Sequence, residues 1–306
     1  MLNLHQLRIF YSVAQHRSFS AAARALFMTQ PAVSLQVRAL EKSLGVKLFD
    51  RSARKLELTS AGEALFRSAG AILHAEDEAL RVIAELRDAS KAKLLVGTNT
   101  TGGMYVLPRI LRAFRAAYPE VKLVLDIDAT DIICERINEK ILDLGVVGGP
   151  LVDRRLTVES IVDDEVVLIA SPDNPLAAKG RITPPDLVGQ PLIVPEPRSR
   201  TRQVVEQSLR EVGLSVRPAM QLVGTEAVKK AVEANLGVAF VSVYATECEV
   251  AQGTLRVIPV EGLRIRRPLV LVYRSTKFLT PSAKRFRHFV RSYAVQHLAT
   301  PSPAPA

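Results

Sequence analysis

The chain has 306 residues, 48% hydrophobic and 24% charged, with a formal net charge of +10. This is the composition of a globular protein of two or three domains and excludes a disordered chain. No apolar run reaches the ~18–20 residues of a membrane-spanning helix. The start, Met1 to His5, shows no basic segment followed by an apolar stretch, so no signal peptide is read and a cytoplasmic location without membrane contact is expected. The charge is unevenly spread: residues 1–59 hold nine Lys/Arg against three Asp/Glu, and residues 60–88 hold three against six. A small basic head on a long chain suits binding to a phosphate backbone. Cys134 and Cys248, 114 positions apart, read as ordinary thiols of a reducing compartment, with a redox-sensing pair as the alternative.

Leu4 to about His16 reads as a first helix, with Leu4, Leu7, Phe10, Tyr11 and Ala14 near one face. Ser18 or Ser20 can cap a second helix, Ala21 to Leu26, whose alanines allow close helix packing. Phe27-Met28-Thr29 then makes a tight turn. Thr29 is a good N-cap, Pro31 fits the first turn and Gly45 is a natural stop, so the third helix runs from Gln30 to about Leu44. At about 100° per residue, Val33, Val37, Leu40 and Leu44 share the sector that faces the core. Gln30, Pro31, Ser34, Leu35, Arg38 and Lys42 share another, polar and basic, which suits a recognition helix in a major groove. Arg38 can reach a guanine edge or a phosphate, Gln30 an adenine edge or a phosphate, and Leu35 a thymine methyl. Val46 to Arg51 and Leu56 to Thr59 flank a basic turn, the pattern of a wing whose Arg51, Arg54 and Lys55 could hold phosphates or enter the minor groove. Ser20 and Thr29 complete the candidate DNA contacts. The competing reading of this head is a helical bundle with a solvated charged face.

Ser60 to Glu63 fits a capping box, or Thr59 caps instead. Leu65, Ala69, Ile72, Glu76, Ala79, Ile83 and Leu86 then follow a 4-3 heptad spacing with one polar interruption, a seam for a dimer helix or for packing on the same domain. Beyond about residue 92, strand-like and helix-like runs alternate, which predicts an α/β domain. Leu94 to Thr98 reads as a buried strand feeding the loop Asn99 to Gly103 and a helix from about Tyr105 to Ala117. Val121 to Ile127 is followed by Thr130-Asp131 and another helix, and Leu142 to Gly148 is a third strand. Strand ends of this kind converge on a crevice where open α/β sheets bind ligands, and small hydroxyl residues at helix starts favour anions. The arginines of Arg198-Ser199-Arg200-Thr201-Arg202 add donors for carboxylate or phosphate, unless they point to solvent. The ligand class expected is therefore anionic: an organic acid, a phosphorylated metabolite or a nucleotide. The tail 301–306, Pro/Ala-rich, is expected to be disordered.

Ser18-Phe19-Ser20-Ala21-Ala22-Ala23-Arg24-Ala25-Leu26, Thr29-Gln30-Pro31-Ala32-Val33-Ser34, Leu40-Glu41, Leu44-Gly45, Leu48-Phe49-Asp50-Arg51 and Leu58-Thr59-Ser60-Ala61-Gly62 together resemble the DNA-binding domain of LysR-type transcriptional regulators. Leu35 departs from the pattern, since many members carry Arg directly after the recognition-helix Ser. The later runs, among them Leu192 to Pro197, Leu222 to Lys229 and Gly237 to Ser242, resemble the family's effector domain. The resemblance implies an α/β chain with an all-α-type winged helix-turn-helix head and a C-terminal two-lobed, periplasmic-binding-protein-like domain with two crossovers. It implies residues 1–58 as the head, 59–90 as a dimerisation helix and 91–300 as the effector domain, with lobe 1 at about 91–162 and 268–300 and lobe 2 at about 163–267. It further implies promoter DNA, a homodimer or homotetramer, contact with RNA polymerase and an effector between the lobes. Thr98, Asn99, Thr100, Thr101, Thr130 and Gly148 match the loops of the first lobe, and Ser199, Thr201, Gly224 and Thr225 those of the second. Arg198 and Arg200 join them as the candidate anion donors. Val33 to Val37 and Gly224 to Ala227 are similar to the subgroup that includes regulators of carbon-fixation and sulfur-assimilation operons.

Two other classes compete. An α/β enzyme lacks support, because His5, His16, His74, His288 and His297 are scattered and neither a metal-ligand spacing nor a G-x-S-x-G or phosphate-loop motif occurs. No catalytic residue, metal or cofactor is expected. A transport-type solute-binding protein would suit the C-terminal fold but not the basic head.

Overall fold

The computed structural model describes residues 2–50, 56–215, 217–275 and 279–298. Arg51, Arg54 and Lys55 of the expected wing, and the tail 301–306, lie outside the described residues. The chain divides into two compact units, Met1–Ile83 and Ala84–Ala306.

The first unit contains α1 (Leu4–His16), α2 (Phe19–Ala25), α3 (Gln30–Leu44), a two-stranded antiparallel ribbon of β1 (Phe49–Asp50) and β2 (Glu57–Leu58), and the start of α4 (Ser60–Arg87). Local chemistry sets these boundaries. The side chains of Asn3, Ser18 and Thr29 accept hydrogen bonds from first-turn N–H groups of α1, α2 and α3, and Gly45 closes α3 at φ 70°. Thr59 rather than Ser60 caps α4, accepting from the Gly62 N–H at 3.0 Å while its hydroxyl donates to the Lys47 carbonyl at 2.7 Å. The core joins Leu7, Phe10 and Val13 of α1, Ala22 and Ala23 of α2, Val33, Val37 and Leu40 of α3, Leu48 and Phe49, and Ala69 and Leu73 of α4.

Two apolar expectations change. Leu4 and Leu44 are each 40% exposed, not buried. Both occupy terminal turns, where the helix has run past the neighbours that would cover it. Glu41 takes the buried place beside Leu40 instead, 4% exposed, with one carboxylate oxygen accepting from the Leu48 N–H at 2.9 Å and the Phe49 N–H at 3.5 Å. The expected α4 seam also divides. Leu65 and Ala69 pack into the head's own core, whereas Ile72, Ile83 and Leu86 are 37%, 55% and 67% exposed. Glu76, the polar interruption, pairs with Arg8 at 2.9 Å, as does the neighbouring Asp77.

The second unit is built on a seven-stranded sheet. In chain order it has β3 (Lys93–Thr98), one π-helical turn (Gly102–Val106) running into α5 (Leu107–Ala117), β4 (Lys122–Ile127), α6 (Thr130–Asn138), β5 (Leu144–Gly148), the 15-residue β6 (Leu156–Ala170) and α7 (Pro175–Ala178). There follow β7 (Leu192–Pro195), α8 (Arg200–Glu211), β8 (Pro218–Leu222), α9 (Thr225–Glu233), β9 (Ala239–Ser242), α10 (Glu247–Gln252), β10 (Arg256–Ile258), β11 (Ile265–Arg274) and α11 (Pro281–His297). The sheet order is β10-β6-β11-β5-β3-β4, with β9 also on β6, and β7 and β8 form a separate parallel pair.

β6 and β11 are the two crossovers. Residues Leu156 to Val162 of β6 pair with the half of β11 that also pairs with β5, whereas Val166 to Ala170 pair with β9 and β10. The alternation of side chains along a strand explains their apolar runs. Val167 and Ile169 of β6 enter the core that contains Leu94, Val96, Ile110, Phe114 and Phe286, while Val166, Leu168 and Ala170 enter the core under α8 with Val205 and Leu209. On the other face of the first lobe, Ile133 and Ile137 of α6 cover Val147, Val270 and Val272.

Candidate nucleic-acid interface and effector cleft

On α3 the buried side, Val33, Val37, Leu40 and Glu41, leaves the opposite side free. Thr29, Gln30, Pro31, Leu35, Arg38 and Lys42 are exposed, as is Ser20 at the start of α2, and Ser34 is half-buried. Leu35 is 65% exposed, an apolar side chain in water at the middle of a polar face. Neither Arg38 nor Lys42 forms an ion pair among the described residues, so both guanidinium and ammonium remain available to an external anion. Gln36 is turned aside, its carbonyl oxygen accepting from the Gln6 amide at 3.3 Å. The turn before α3 places Phe27 at φ 53°, 98% exposed. Capped and open at its N-terminus, cationic along its outer face, α3 has the form of a groove-reading helix.

In the second unit, the ends of β3, β4 and β7 and the starts of α6, α8 and α9 converge on one crevice. Its walls include Asn99, Thr100 and Thr101 from the first loop, Thr130 at the start of α6, Arg198, Ser199, Arg200 and Thr201 at the start of α8, and Gly224 and Thr225 at the start of α9. Ten of the twelve residues singled out in the sequence are thus brought together. The other two stand behind the wall. Thr98 is fully buried, its hydroxyl donating to the Val146 carbonyl at 2.7 Å, and Gly148 ends β5 in the buried sheet. The arginines divide between wall and solvent: Arg198 is exposed, and Arg200 is half-buried with its guanidinium donating to Gln203 at 2.9 Å.

The helix starts are not equivalent. Ser199 caps α8, accepting from the Arg202 N–H at 3.4 Å, and Glu196 accepts from the Gly224 N–H at 3.1 Å ahead of α9. The start of α6 has no side-chain cap, and the Thr130 hydroxyl, 2% exposed, has no hydrogen-bond partner among the described residues. Uncapped N–H groups and an unpaired buried hydroxyl at a positive helix end form a local anion-accepting surface.

Sequence reasoning missed Asp128, Ala129, Pro195 and Glu196 of the wall, and a charged network beneath it. Arg267 of β11 and Asp164 of β6 are register partners with fully buried side chains, paired at 2.9 Å, and the Ser242 hydroxyl donates to Asp164 at 2.6 Å. Burial pushes the Asp164 carboxyl above the usual carboxylate range, and Arg267 acts against that shift. The one signal in the sequence was a pair of arginines, Arg266 and Arg267, running into the apolar stretch Leu269 to Val272. Beside the crevice, Tyr105 of the π-helical turn donates to Glu226 of α9, and the buried Lys229 ammonium bonds Glu226 at 2.8 Å and Glu249 at 2.7 Å. Burial, with the Glu226 carboxylate beside it, pushes the Tyr105 phenol up. Cys134 and Cys248 are free thiols, and burial raises Cys134 to about 11, well away from a reactive thiolate. No helix among the described residues is long and apolar enough to cross a membrane.

Residues 4–63 match the family model described as bacterial regulatory helix-turn-helix protein, lysR family, and residues 87–295 match the LysR substrate binding domain. Among named proteins, the RuBisCO operon transcriptional regulator of Allochromatium vinosum is 36% identical over 295 residues, covering 96% of this chain and 97% of that one. The HTH-type transcriptional activator CmpR of Synechocystis is 35% identical over 287 residues, covering 94% of each chain. Among solved structures, CbnR, a LysR family transcriptional regulator, shares the fold at TM-score 0.72 and 24% identity, over 96% of this chain and 99% of that one. The Synechocystis CcmR regulatory domain in complex with 2-PG superposes at TM-score 0.63 and 25% identity, over 67% of this chain and 99% of that domain. With both domains matched along nearly its whole length, the chain belongs to the LysR family of DNA-binding transcriptional regulators.

Proposed function

We propose that this regulator reads promoter DNA with α3 and is controlled by a small anionic metabolite held in the crevice between the lobes of its second unit. The observation that carries the effector reading is the crevice itself, with threonine and serine hydroxyls, three helix starts and two arginines around it. The ligand of the CcmR domain, 2-PG, makes that compound the first candidate.

On the DNA side, Ser34, Leu35 and Gln30 face the bases, and Arg38 and Lys42 a base edge or the backbone, with Ser20, Thr29 and Pro31 fixing the approach of the helix. Arg51, Arg54 and Lys55 serve as wing contacts in this reading. The exposed Ile72, Ile83 and Leu86 of α4 supply the dimer seam. Dimers pair further into a tetramer, the protein works in the cytoplasm, and it meets RNA polymerase at the promoter. Ligand binding re-angles the lobes about β6 and β11, and through the oligomer alters the spacing of the DNA-binding heads. Footprinting of the DNA upstream of the regulator's own gene, with and without 2-PG, tests this. Protection that changes in extent or affinity supports the reading, and protection indifferent to every anion tried contradicts it.

A further inference from the structure

Beneath the crevice a charged group is left incompletely paired. The Arg267 guanidinium is fully buried. Its Nε donates to Asp164 at 2.9 Å and its Nη1 to the Thr201 hydroxyl at 2.7 Å, but Nη2 has no hydrogen-bond partner among the described residues. A guanidinium offers five N–H donors, and donors buried without acceptors are rare in folded proteins. The residue against it is Gly148. A side chain there would place its Cβ 3.1 Å from Arg267 Nη1, 3.4 Å from Cζ and 3.6 Å from the Asn99 amide nitrogen. The absence of that side chain leaves two nitrogen donors facing the same spot, and both Asn99 and Thr201 also line the crevice.

We infer that Arg267 is the anion-recognising residue of the effector site, which rests on the crevice being that site. A ligand carboxylate or phosphate inserts toward Gly148, takes the unpaired Nη2 and shares Nη1 with Thr201, while Asn99 donates from the side. The planar fork suits two oxygens of one carboxylate or phosphate. Thr201 lies in the first turn of α8, and Arg267 and Asp164 stand opposite each other where the crossover strands pass between the lobes. An anion drawn to Arg267 therefore pulls on the start of α8 from the strand pair about which the lobes turn. The same contact that recognises charge thereby reports occupancy to the hinge. The exposed Arg198 and the half-buried Arg200 then act at the mouth and not as the anchor.

Isothermal titration of the full chain with 2-PG, inorganic phosphate and succinate, in wild type, Arg267→Lys, Gly148→Ala and Thr100→Val, tests the inference. Arg267→Lys keeps the charge but loses the fork. Gly148→Ala covers the guanidinium while leaving its pair with Asp164 intact, and so guards against a misfolded Arg267→Lys. The expected result is binding of at least one anion to the wild type, weakened tenfold or more in both Arg267→Lys and Gly148→Ala. If both variants, folded by circular dichroism, bind within twofold of wild type while Thr100→Val binds tenfold more weakly, the ligand occupies the crevice without Arg267 and the inference fails alone. If no anion binds the wild type at millimolar concentration, or none of the three substitutions matters, the crevice reading falls with it.

Discussion

Glu41, in the last turn of α3, and Phe27, in the turn before it, have opposite energetic signs. Glu41 is a carboxylate buried for the sake of the Leu48 and Phe49 N–H groups, so it ties the end of α3 to the first strand of the wing. Glu41→Ala should leave those donors unpaired and lower unfolding stability by about 1–3 kcal/mol, read from urea melts of the full chain. Phe27 shows the reverse: a bulky side chain in the left-handed region, 98% exposed, with no burial to offset the backbone strain. The conformation costs an L-residue about 1–2 kcal/mol, and Asn tolerates it better. Phe27→Asn should therefore leave stability equal or raise it by up to about 1 kcal/mol, and a loss of stability would show a packing role for the ring. Residue by residue, the helix caps were legible in the sequence because Thr29 and Gly45 act on their own neighbours. Arg267 was not, because its meaning depends on the register of β6 against β11, which places Asp164, 103 positions away, opposite it.

At the scale of elements, a helical wheel identifies a face but not how far the core extends along it. Val33, Val37 and Leu40 are buried as their spacing requires, while Leu44, on the same sector, is exposed because α3 outlasts its neighbours. A heptad pattern likewise cannot say which partner covers each residue. The α4 seam satisfies its own head at Leu65 and Ala69 and stays open at Ile83 and Leu86. Replacing Ile83 and Leu86 together by Asp should dissociate the oligomer without loss of helical signal, read by analytical ultracentrifugation; an unchanged mass would place the interface elsewhere. The polar face of α3 gives a second test. Ser34→Ala with Arg38→Ala should weaken promoter binding at least tenfold, since a well-placed base contact contributes about 1–3 kcal/mol. The slope of log affinity against log salt should also fall by about one if Arg38 meets a phosphate. Retained affinity would remove α3 from the interface.

For the whole molecule, the alternation of strand and helix in the sequence was sufficient to show an α/β domain, and the loops that build the crevice were legible because each follows a strand end. What local pattern could not show was that β6 and β11 run through both lobes, since the acidic stretch Asp163-Asp164-Glu165 interrupts β6 so that only Val166 to Ala170 read as a buried strand, and the partners at its two ends are set by distant sequence. In the proposed mechanism those two strands serve as the hinge, with the charged pair between them, and a ligand that binds one lobe angle better than another must shift the equilibrium between the two. Linkage then requires that ligand and DNA change each other's affinity by the same factor. The direct test is titration of a labelled promoter duplex with the full chain, at fixed salt, with and without a saturating concentration of the anion that binds the crevice. Coupling of this kind typically amounts to about 1–3 kcal/mol, so the account predicts a shift in promoter affinity of about five-fold or more, or a changed footprint at equal affinity. Identical affinity and identical protection in the two states would contradict it.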